Sequence, residues 1–340
     1  EQRAARSARD DLRRAGGRVI SPVRTGATAL TAAAGFGIGS LVANYVSFEK
    51  QMSRVRAVTQ ANDEEFAHLQ KTALDLGQKT AFNNREVAAA MTELATAGFS
   101  VDQVIKTLPG TLNLASATGY DLAQSAELQA SALRGFGLEG KDATRVADVL
   151  TNTANQSAVA MDDLSESLKY IAPVAKASGQ SFESMLSAVG LLGNVGIKGS
   201  QAGTTIRTAL VRLQAPTDKV ETALHKLQLG ASDLYGPNGL KPLPEIIGKI
   251  VVGAQGMDKS TRNAALAHIF GREALSGMVA LVESGEGKYR KFQKALEHSD
   301  GAAKRSAATM RDNVAGAWDQ FTGSVESAAA ALLTKYSPAV

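Results

Sequence analysis

Short amphipathic segments, each opened by a capping side chain and closed by glycine, recur along most of this chain. Asn83 and Glu86 have the spacing of a capping box, in which each side chain satisfies a free backbone N–H at a helix start. Ser100 and Gln103 repeat that spacing, and apolar residues follow both pairs at three- and four-residue intervals. Gly98 ends the first segment, as glycine commonly ends a helix. The pattern predicts an all-α protein, an array of short amphipathic helices and helical hairpins.

The same signals predict helices in the rest of the chain. Helix starts are expected at Asp121, Asp163 and Ser181, and helix ends at Gly135 and Gly179. Further helices are predicted over 200–213, 217–228, 243–253, 259–270, 272–284 and 287–298. Strand signals are scarce, since aromatic residues make up only 5% of the chain. Residues 230–244 contain Gly-Pro-Asn-Gly and two further prolines, so turns and a short hairpin are expected there.

A weak internal repeat relates two of these segments at an offset of 81 residues. The first segment contributes Val87, Ala90, Gly98, Ser100, Val104, Ile105, Leu108 and Asn113. Their counterparts are Leu168, Ile171, Gly179, Ser181, Met185, Leu186, Val189 and Asn194. Both segments have the order helix, glycine, serine cap, helix. Duplication and chance similarity between helical segments are left as equal alternatives.

Positive charge is concentrated at the N-terminus. Residues 1–25 contain seven Arg and three acids, so this basic arm carries +4, and the remaining 30 basic and 30 acidic residues balance. The arm is suited to phosphate, lipid headgroups or an acidic protein wall, or is a solvated helix end. No sequence-specific nucleic-acid interface is expected over the rest of the chain, because it lacks excess positive charge.

The sequence predicts no catalytic residue, no cofactor and no metal site. Cysteine is absent, which excludes disulfides, a thiol nucleophile and a thiolate metal site. The four histidines are at least 30 residues apart, so no helix carries a histidine pair for a metal. The glycine-rich runs at 35–39 and 193–203 lack the residue order of nucleotide-binding loops, and Ser200 is expected to cap the helix after the second run. We therefore expect a protein that is not an enzyme.

Residues 25–48 form an uncharged stretch rich in Ala, Gly and Thr. A bilayer span needs roughly 20 apolar residues, so the stretch is long enough to enter a membrane. The membrane-insertion candidates are Leu30, Phe36, Ile38, Leu41 and Val42. A heptad pattern crosses the end of the stretch and supplies self-association candidates, namely Ile38, Leu41, Tyr45, Phe48, Met52 and Val55. Packing of these residues on the chain's own core is the alternative.

A second heptad pattern occupies residues 302–335. It consists of Val314, Trp318, Phe321, Val325, Ala328 and Leu332, all of which except Ala328 are further self-association candidates. An unbroken helix of that length would extend roughly 50 Å at about 1.5 Å per residue, which favours a partner helix. The longer heptad helices therefore flank the array at both ends.

These patterns predict five parts. They are a basic arm over 1–25, an uncharged segment and heptad helix over 26–60, a helical core over 61–229, a turn-rich insert and second helical part over 230–299, and a long helix over 300–340. The chain starts with Glu1 rather than Met, and we expect it to be a fragment whose last helix leads into a missing remainder.

Ten stretches resemble, in the same order, parts of the tail tape-measure proteins of long-tailed phages. They are 48–58, 76–82, 86–91, 94–100, 115–123, 135–138, 146–150, 164–170, 193–204 and 243–246. Together they extend over about 48–275. The resemblance implies a structural protein that lies in the tail lumen in several copies, sets tail length as a template for tail-tube polymerisation, and leaves before the DNA.

The resemblance also implies partners and a location. The partners would be further copies of the chain, as a trimer or hexamer, tail-tube proteins, tail-tip or baseplate hub proteins, and tail assembly chaperones. The location would be the virion, inside the tail tube near its tip, after assembly in the host cytoplasm. The alternative function is a membrane-inserting, channel-forming protein that helps DNA through the host envelope, with the host membrane as partner.

Overall fold

The computed structural model describes residues 38–237 and 239–312, together with 322, 324–326 and 330. Its helices are α1 (Ile38–Thr59), α2 (Asp63–Lys79), α3 (Asn84–Thr96), α4 (Val101–Thr118), α5 (Leu122–Phe136), α6 (Ala143–Gln156), α7 (Met161–Ala177), α8 (Phe182–Gly193), α9 (Gly199–Gln214), α10 (Asp218–Lys226), α11 (Ala231–Leu234), α12 (Leu243–Gly253), α13 (Lys259–Phe270), α14 (Leu275–Glu297) and α15 (Ala302–Arg311). A 3-10 turn forms at Gly140–Asp142, and β1 (Tyr235–Gly236) pairs antiparallel with β2 (Gly239–Leu240). The predicted all-α class is confirmed, and so is the short hairpin.

The chain divides into two compact units between Leu108 and Pro109, inside α4. Proline lacks the N–H that would continue the helical ladder, and its ring crowds the preceding turn. Unit 1 comprises the described residues up to Leu108 and from Met310 onward, and unit 2 comprises Pro109–Thr309. The boundary lies within the 61–229 core of the five-part division, which stays a prediction.

Apolar faces hold the helices of unit 1 together. α1 packs chiefly against α3, and α2 packs against the same helix. The side chains buried in these faces are Phe48, Met52 and Val55 of α1, Leu69 and Ala73 of α2, and Val87, Met91 and Leu94 of α3. Burying a large apolar side chain stabilises a fold by about 1.5–3 kcal/mol, so these contacts dominate the energetics of the unit.

Unit 2 is built around three extensive helix contacts. α7 lies along α9, while α14 packs on both α8 and α12. Nearly every residue of α8 is buried, in keeping with its apolar sequence. α10 pairs with α13 beside this core.

Four of the predicted helix starts are confirmed. Asn83 and Glu86 form a reciprocal capping box with two 2.9 Å hydrogen bonds. Ser100 accepts the backbone N–H of Gln103, whose side chain accepts the N–H of Ser100. The N-cap side chains Asp121 and Ser181 accept N–H groups of α5 and α8. The local sequence therefore sets where these helices begin.

Two predicted boundaries are wrong. Gly135 does not end α5: it lies inside the helix, where a Cβ would overlap Ala172 of α7, and the left-handed residue that ends the helix is Gly137. Asp163 does not open α7, because the helix already begins at Met161 and Asp163 accepts the Ala160 N–H from the third position.

The later helices agree closely with prediction. The segments predicted over 200–213, 243–253 and 259–270 correspond to α9, α12 and α13. The last two segments, 272–284 and 287–298, are the two halves of α14. Gly285 separates them with φ 74° and ψ 162°, a conformation essentially restricted to glycine.

Candidate functional surface

The candidate functional features are surfaces and packing contacts. Among the residues that the structure describes, no group of three or more His, Asp or Glu side chains is arranged to hold a metal ion. All four histidines, His68, His225, His268 and His298, are exposed. In this part of the chain, the candidate features are the contacts between helices and the side chains that they expose.

The N-terminal self-association candidates lie on α1. Phe48, Met52 and Val55 are at most 1% exposed and pack inside unit 1, as the alternative interpretation expects. Tyr45 is half-buried. For Ile38 and Leu41 the structure describes only the helical backbone. Self-association through this heptad pattern stays a prediction.

Most of the C-terminal candidates, Val314, Trp318, Phe321 and Leu332, lie outside the described residues. Val325 is described and half-buried. Its neighbour Glu326 accepts a 2.9 Å hydrogen bond from Asn44 of α1. Burial raises the pKa of Glu326, because it disfavours the charged carboxylate. Glu326 thus contacts the first helix of the same unit.

The membrane-insertion candidates Leu30 and Phe36 also lie outside the described residues, and Ile38, Leu41 and Val42 are described only as helical backbone. Within the described part of the chain, no single helix has the length and apolar composition for crossing a bilayer. One helix pair, α13 with α14, meets that criterion jointly and is bent by 117°.

The glycine-rich stretch at 193–204 lets two helices meet at backbone distance. Gly199 begins α9, and its carbonyl accepts a 2.8 Å hydrogen bond from the Ser167 hydroxyl of α7. A Cβ at Gly203 would lie 2.8 Å from the Ser167 carbonyl oxygen, so only glycine allows this approach. The motif therefore serves helix packing.

The predicted capping role of Ser200 is wrong. α9 starts one residue earlier, so Ser200 lies within its first turn and is exposed, while Lys198 is the N-cap without a side-chain bond. Asp163 of α7 comes close instead: its Oδ1 lies 3.4 Å from the Cβ position of Gly199. The positive N-terminal end of the α9 dipole stabilises a carboxylate at this position.

A shallow groove of about 420 Å³ runs between α10 and α13. Ala223 and Ala265 lie at its base, and Asp218, Lys219 and Lys226 lie along its α10 side. Both charge signs are present, and the residues lining it do not define one class of ligand.

Two buried polar side chains bind the backbone of distant segments, and sequence reasoning missed both. Asp148 of α6 accepts the N–H groups of Gly301 and Ala303, each at 2.8 Å, and so caps α15 from another helix. Gln180 accepts the Leu243 N–H at 2.8 Å and donates to the Lys241 carbonyl at 3.0 Å. The signal available for Asp148 was a carboxylate inside the apolar run 146–150.

Burial raises the pKa of three tyrosine hydroxyls, and the shift is large for Tyr120 and Tyr289. Burial raises the pKa of Tyr120, and Asp162, which accepts its hydroxyl hydrogen at 2.6 Å, raises it further. Complete burial raises the pKa of Tyr289, whose hydroxyl donates to the Ser184 carbonyl at 2.9 Å. Both side chains therefore remain neutral hydrogen-bond donors at pH 7.

Comparison with known proteins gives a consistent family. Residues 70–271 match the family model described as phage-related minor tail protein. The chain is 42% identical over 294 residues to the tape measure protein of Pneumococcus phage Dp-1, covering 86% of this chain and 25% of that protein. It is 33% identical over 295 residues to the probable tape measure protein of Escherichia phage P2, covering 86% and 36%. No solved structure matches the chain.

The protein is helical, and buried polar side chains such as Asp148 and Gln180 cap a helix or bind distant backbone. Because the family model matches more than half of its length, the chain belongs to the phage-related minor tail protein family. The resemblance to tail tape-measure proteins is confirmed by both relatives. The chain spans about a quarter and about a third of the length of these two proteins.

Proposed function

We propose that this chain is part of a structural tape-measure protein that sets phage tail length as a template for tail-tube polymerisation. The observation that carries the proposal is the 42% identity over 294 residues to a protein of that name. The protein would occupy the tail lumen, contact tube and tail-tip proteins, depend on tail assembly chaperones in the host cytoplasm, and leave before the DNA. We propose no catalytic activity for it.

The described fold is suited to a fixed end of that template. α1, with 22 residues, is about 33 Å long at about 1.5 Å per residue, and α3 packs back against it. Backbone-distance packing at Gly203 and the Asp148 cap hold unit 2 in a compact form. We infer that the remaining length of the whole protein measures the tail, while these residues form a folded end near the tip.

Tail length in electron micrographs tests the template role. In a phage whose tape measure contains this chain, 50 helical residues are inserted outside residues 1–340. The tail should lengthen by ~75 Å, at about 1.5 Å per residue. An unchanged tail would contradict the template role.

A substitution inside the folded part tests the fixed end. Gly203→Val should reduce the number of assembled tails and leave the length of the remaining tails unchanged, because it disturbs packing between α7 and α9. Gly287→Ala is the matched control, since a Cβ there meets no atom within 4 Å. A shifted tail length in the Gly203→Val phage would contradict the fixed-end proposal while leaving the template role intact.

A further inference from the structure

Charge is segregated within unit 2, although the chain beyond residue 25 balances overall. Residues 109–187 contain 5 Lys and Arg against 9 Asp and Glu, a net charge of −4. Residues 188–309 contain 16 Lys and Arg against 10 Asp and Glu, a net charge of +6. The balance over the whole chain therefore conceals a net positive charge in the second half of this unit.

The basic half presents a row of three lysines, which we call the lysine ridge: Lys288, Lys291 and Lys294 of α14. All three are exposed. Tyr289 and Leu296 are at most 1% exposed and fix the opposite side of the helix against the core. The ridge is thus held toward solvent by the packing of α14.

The lysine ridge has no ion-pair partner among the described residues. Two of the acids on α14 are already engaged in ion pairs, Glu286 with Arg290 and Glu283 with Arg262. The third, Glu297, accepts a 2.6 Å hydrogen bond from Gln293. Within the part of the chain that the structure describes, the charge of the ridge therefore faces solvent.

The acidic half presents a complementary surface, the acidic face: Asp121, Glu127 and Asp162. All three residues are exposed. Asp121 caps α5, Glu127 lies on the same helix, and Asp162 accepts the hydroxyl hydrogen of Tyr120, the residue before Asp121, at 2.6 Å. No ion pair joins this face to the lysine ridge within the described chain. Among the described residues, both surfaces therefore remain available for a contact between copies.

We propose that the lysine ridge of one copy docks on the acidic face of the next, in a head-to-tail contact between second units. A contact between two different surfaces repeats from copy to copy and orients all copies alike. The chain itself carries an acidic surface of matching charge, so a second copy supplies the complement that the ridge requires. The contact is independent of the proposed tape-measure role.

Exposed ion pairs are individually weak and are screened by salt, so this association depends on protein concentration and ionic strength. The self-association of the full 340-residue chain is measured by sedimentation velocity at low salt and at 1 M salt. We expect association at low salt that weakens about tenfold or more at 1 M, where the Debye length is about 3 Å. Apolar association through the heptad patterns would persist at 1 M salt.

Charge reversal identifies the surfaces. The ridge variant is K288E/K291E/K294E, and the acidic-face variant is E127K/D162K, which keeps the Asp121 cap of α5 intact. The matched control, K219E/K226E/K259E, reverses three exposed lysines elsewhere in unit 2. Circular dichroism confirms folding of each variant.

Each surface variant alone should lose association about tenfold or more, while the control associates like the original chain. An equimolar mixture of the ridge and acidic-face variants should regain it, because their reversed surfaces are complementary. The proposal is overturned if the ridge variant associates normally, if the control loses as much, or if the mixture fails to recover. It is also overturned if the original chain stays monomeric at low salt, whether or not the ridge binds added duplex DNA.

Discussion

The described residues of each unit contain the same glycine–serine junction. In unit 1 it joins α3 to α4 through Gly98 and Ser100, and in unit 2 it joins α7 to α8 through Gly179 and Ser181. Both glycines have positive φ, 83° and 69°. In each junction the residue after the glycine donates its N–H to a carbonyl five residues back. The two junctions are therefore locally equivalent.

The residue between glycine and serine differs. In unit 1 it is Phe99, an apolar side chain that is 6% exposed. In unit 2 it is Gln180, which is equally buried and binds the backbone on either side of Pro242. Local sequence thus fixes the turn, while a single buried side chain decides whether the junction is anchored by apolar packing or by a polar clamp.

The largest expected effect is the loss of the apolar anchor in unit 1. Phe99→Ala should destabilise the unit by about 4 kcal/mol, because it removes a buried aromatic ring and leaves a cavity. Chemical denaturation followed by helical circular dichroism measures the change. Val58→Ala, at a side chain 39% exposed in the same unit, is the control and should have a small effect. Equal effects of the two substitutions would contradict the anchor.

Loss of the polar clamp should lower the free energy of unfolding of unit 2 by somewhat less. Gln180→Ala leaves the Leu243 N–H and the Lys241 carbonyl without their partner, at about 3 kcal/mol for the two buried groups. The same denaturation experiment measures it, with the exposed Gln124→Ala as control. If Gln180→Leu were as stable as the original chain, the clamp would not be the reason for the glutamine.

The close approach of α7 and α9 gives the next effect. Gly203→Ala should destabilise unit 2 by about 2 kcal/mol, because the new methyl group presses on the Ser167 backbone. Gly287→Ala should be neutral or slightly stabilising, since its Cβ meets open space in a helix. Thermal unfolding of the two variants side by side separates packing from helix propensity. A stabilised Gly203→Ala protein would contradict the packing role.

The serine caps test whether the two junctions are equivalent. Ser100→Ala and Ser181→Ala should each cost about 1 kcal/mol, since each removes one bond to a free helical N–H. Denaturation midpoints of the two variants are compared. Costs that differ by more than about 1 kcal/mol would show that the surroundings, and not the local motif, set the strength of the cap.

The smallest expected effect is an opposite pH dependence in the two units. Hydrogen bonds from Thr261 and from backbone N–H groups lower the pKa of Asp258 in unit 2. The stability that Asp258 adds to the folded state is therefore complete above the unfolded pKa of about 3.9, and it is lost as the pH falls through the lower folded pKa. Burial raises the pKa of Glu326 in unit 1. Its contribution to the stability of the folded state is therefore most favourable below the unfolded pKa of about 4.3, and it declines as the pH rises through the raised folded pKa.

Unfolding midpoints between pH 2 and pH 7 measure this contrast. Asp258→Asn should flatten the loss of stability on the acid side, and Glu326→Gln should remove the decline toward neutral pH. Identical pH profiles for the original chain and either variant would show that the carboxylate concerned titrates alike in the folded and unfolded states.

Features that depend on nearby residues were predictable from the sequence, and features that depend on distant partners were not. Asn83, Ser100 and Ser181 bind N–H groups three residues away, so spacing alone identifies them. Gln180 and Asp148 bind segments 61–63 and 153–155 residues away, which no local pattern contains.

The glycines show why spacing is ambiguous. Gly137 ends a helix through its left-handed backbone, whereas Gly135 lets α7 approach α5. The sequence gives both the same letter, and only the position of the neighbouring helix distinguishes the two roles.

Hydrogen exchange of the full chain, followed by mass spectrometry, tests most directly whether the two junctions anchor two separate units. Phe99→Ala should accelerate exchange in α1, α2 and α3 and leave α8 and α12 unchanged. Gln180→Ala should accelerate exchange in α8 and α12 and leave α1 to α3 unchanged. Equal acceleration throughout the chain by either substitution would contradict the division into two units.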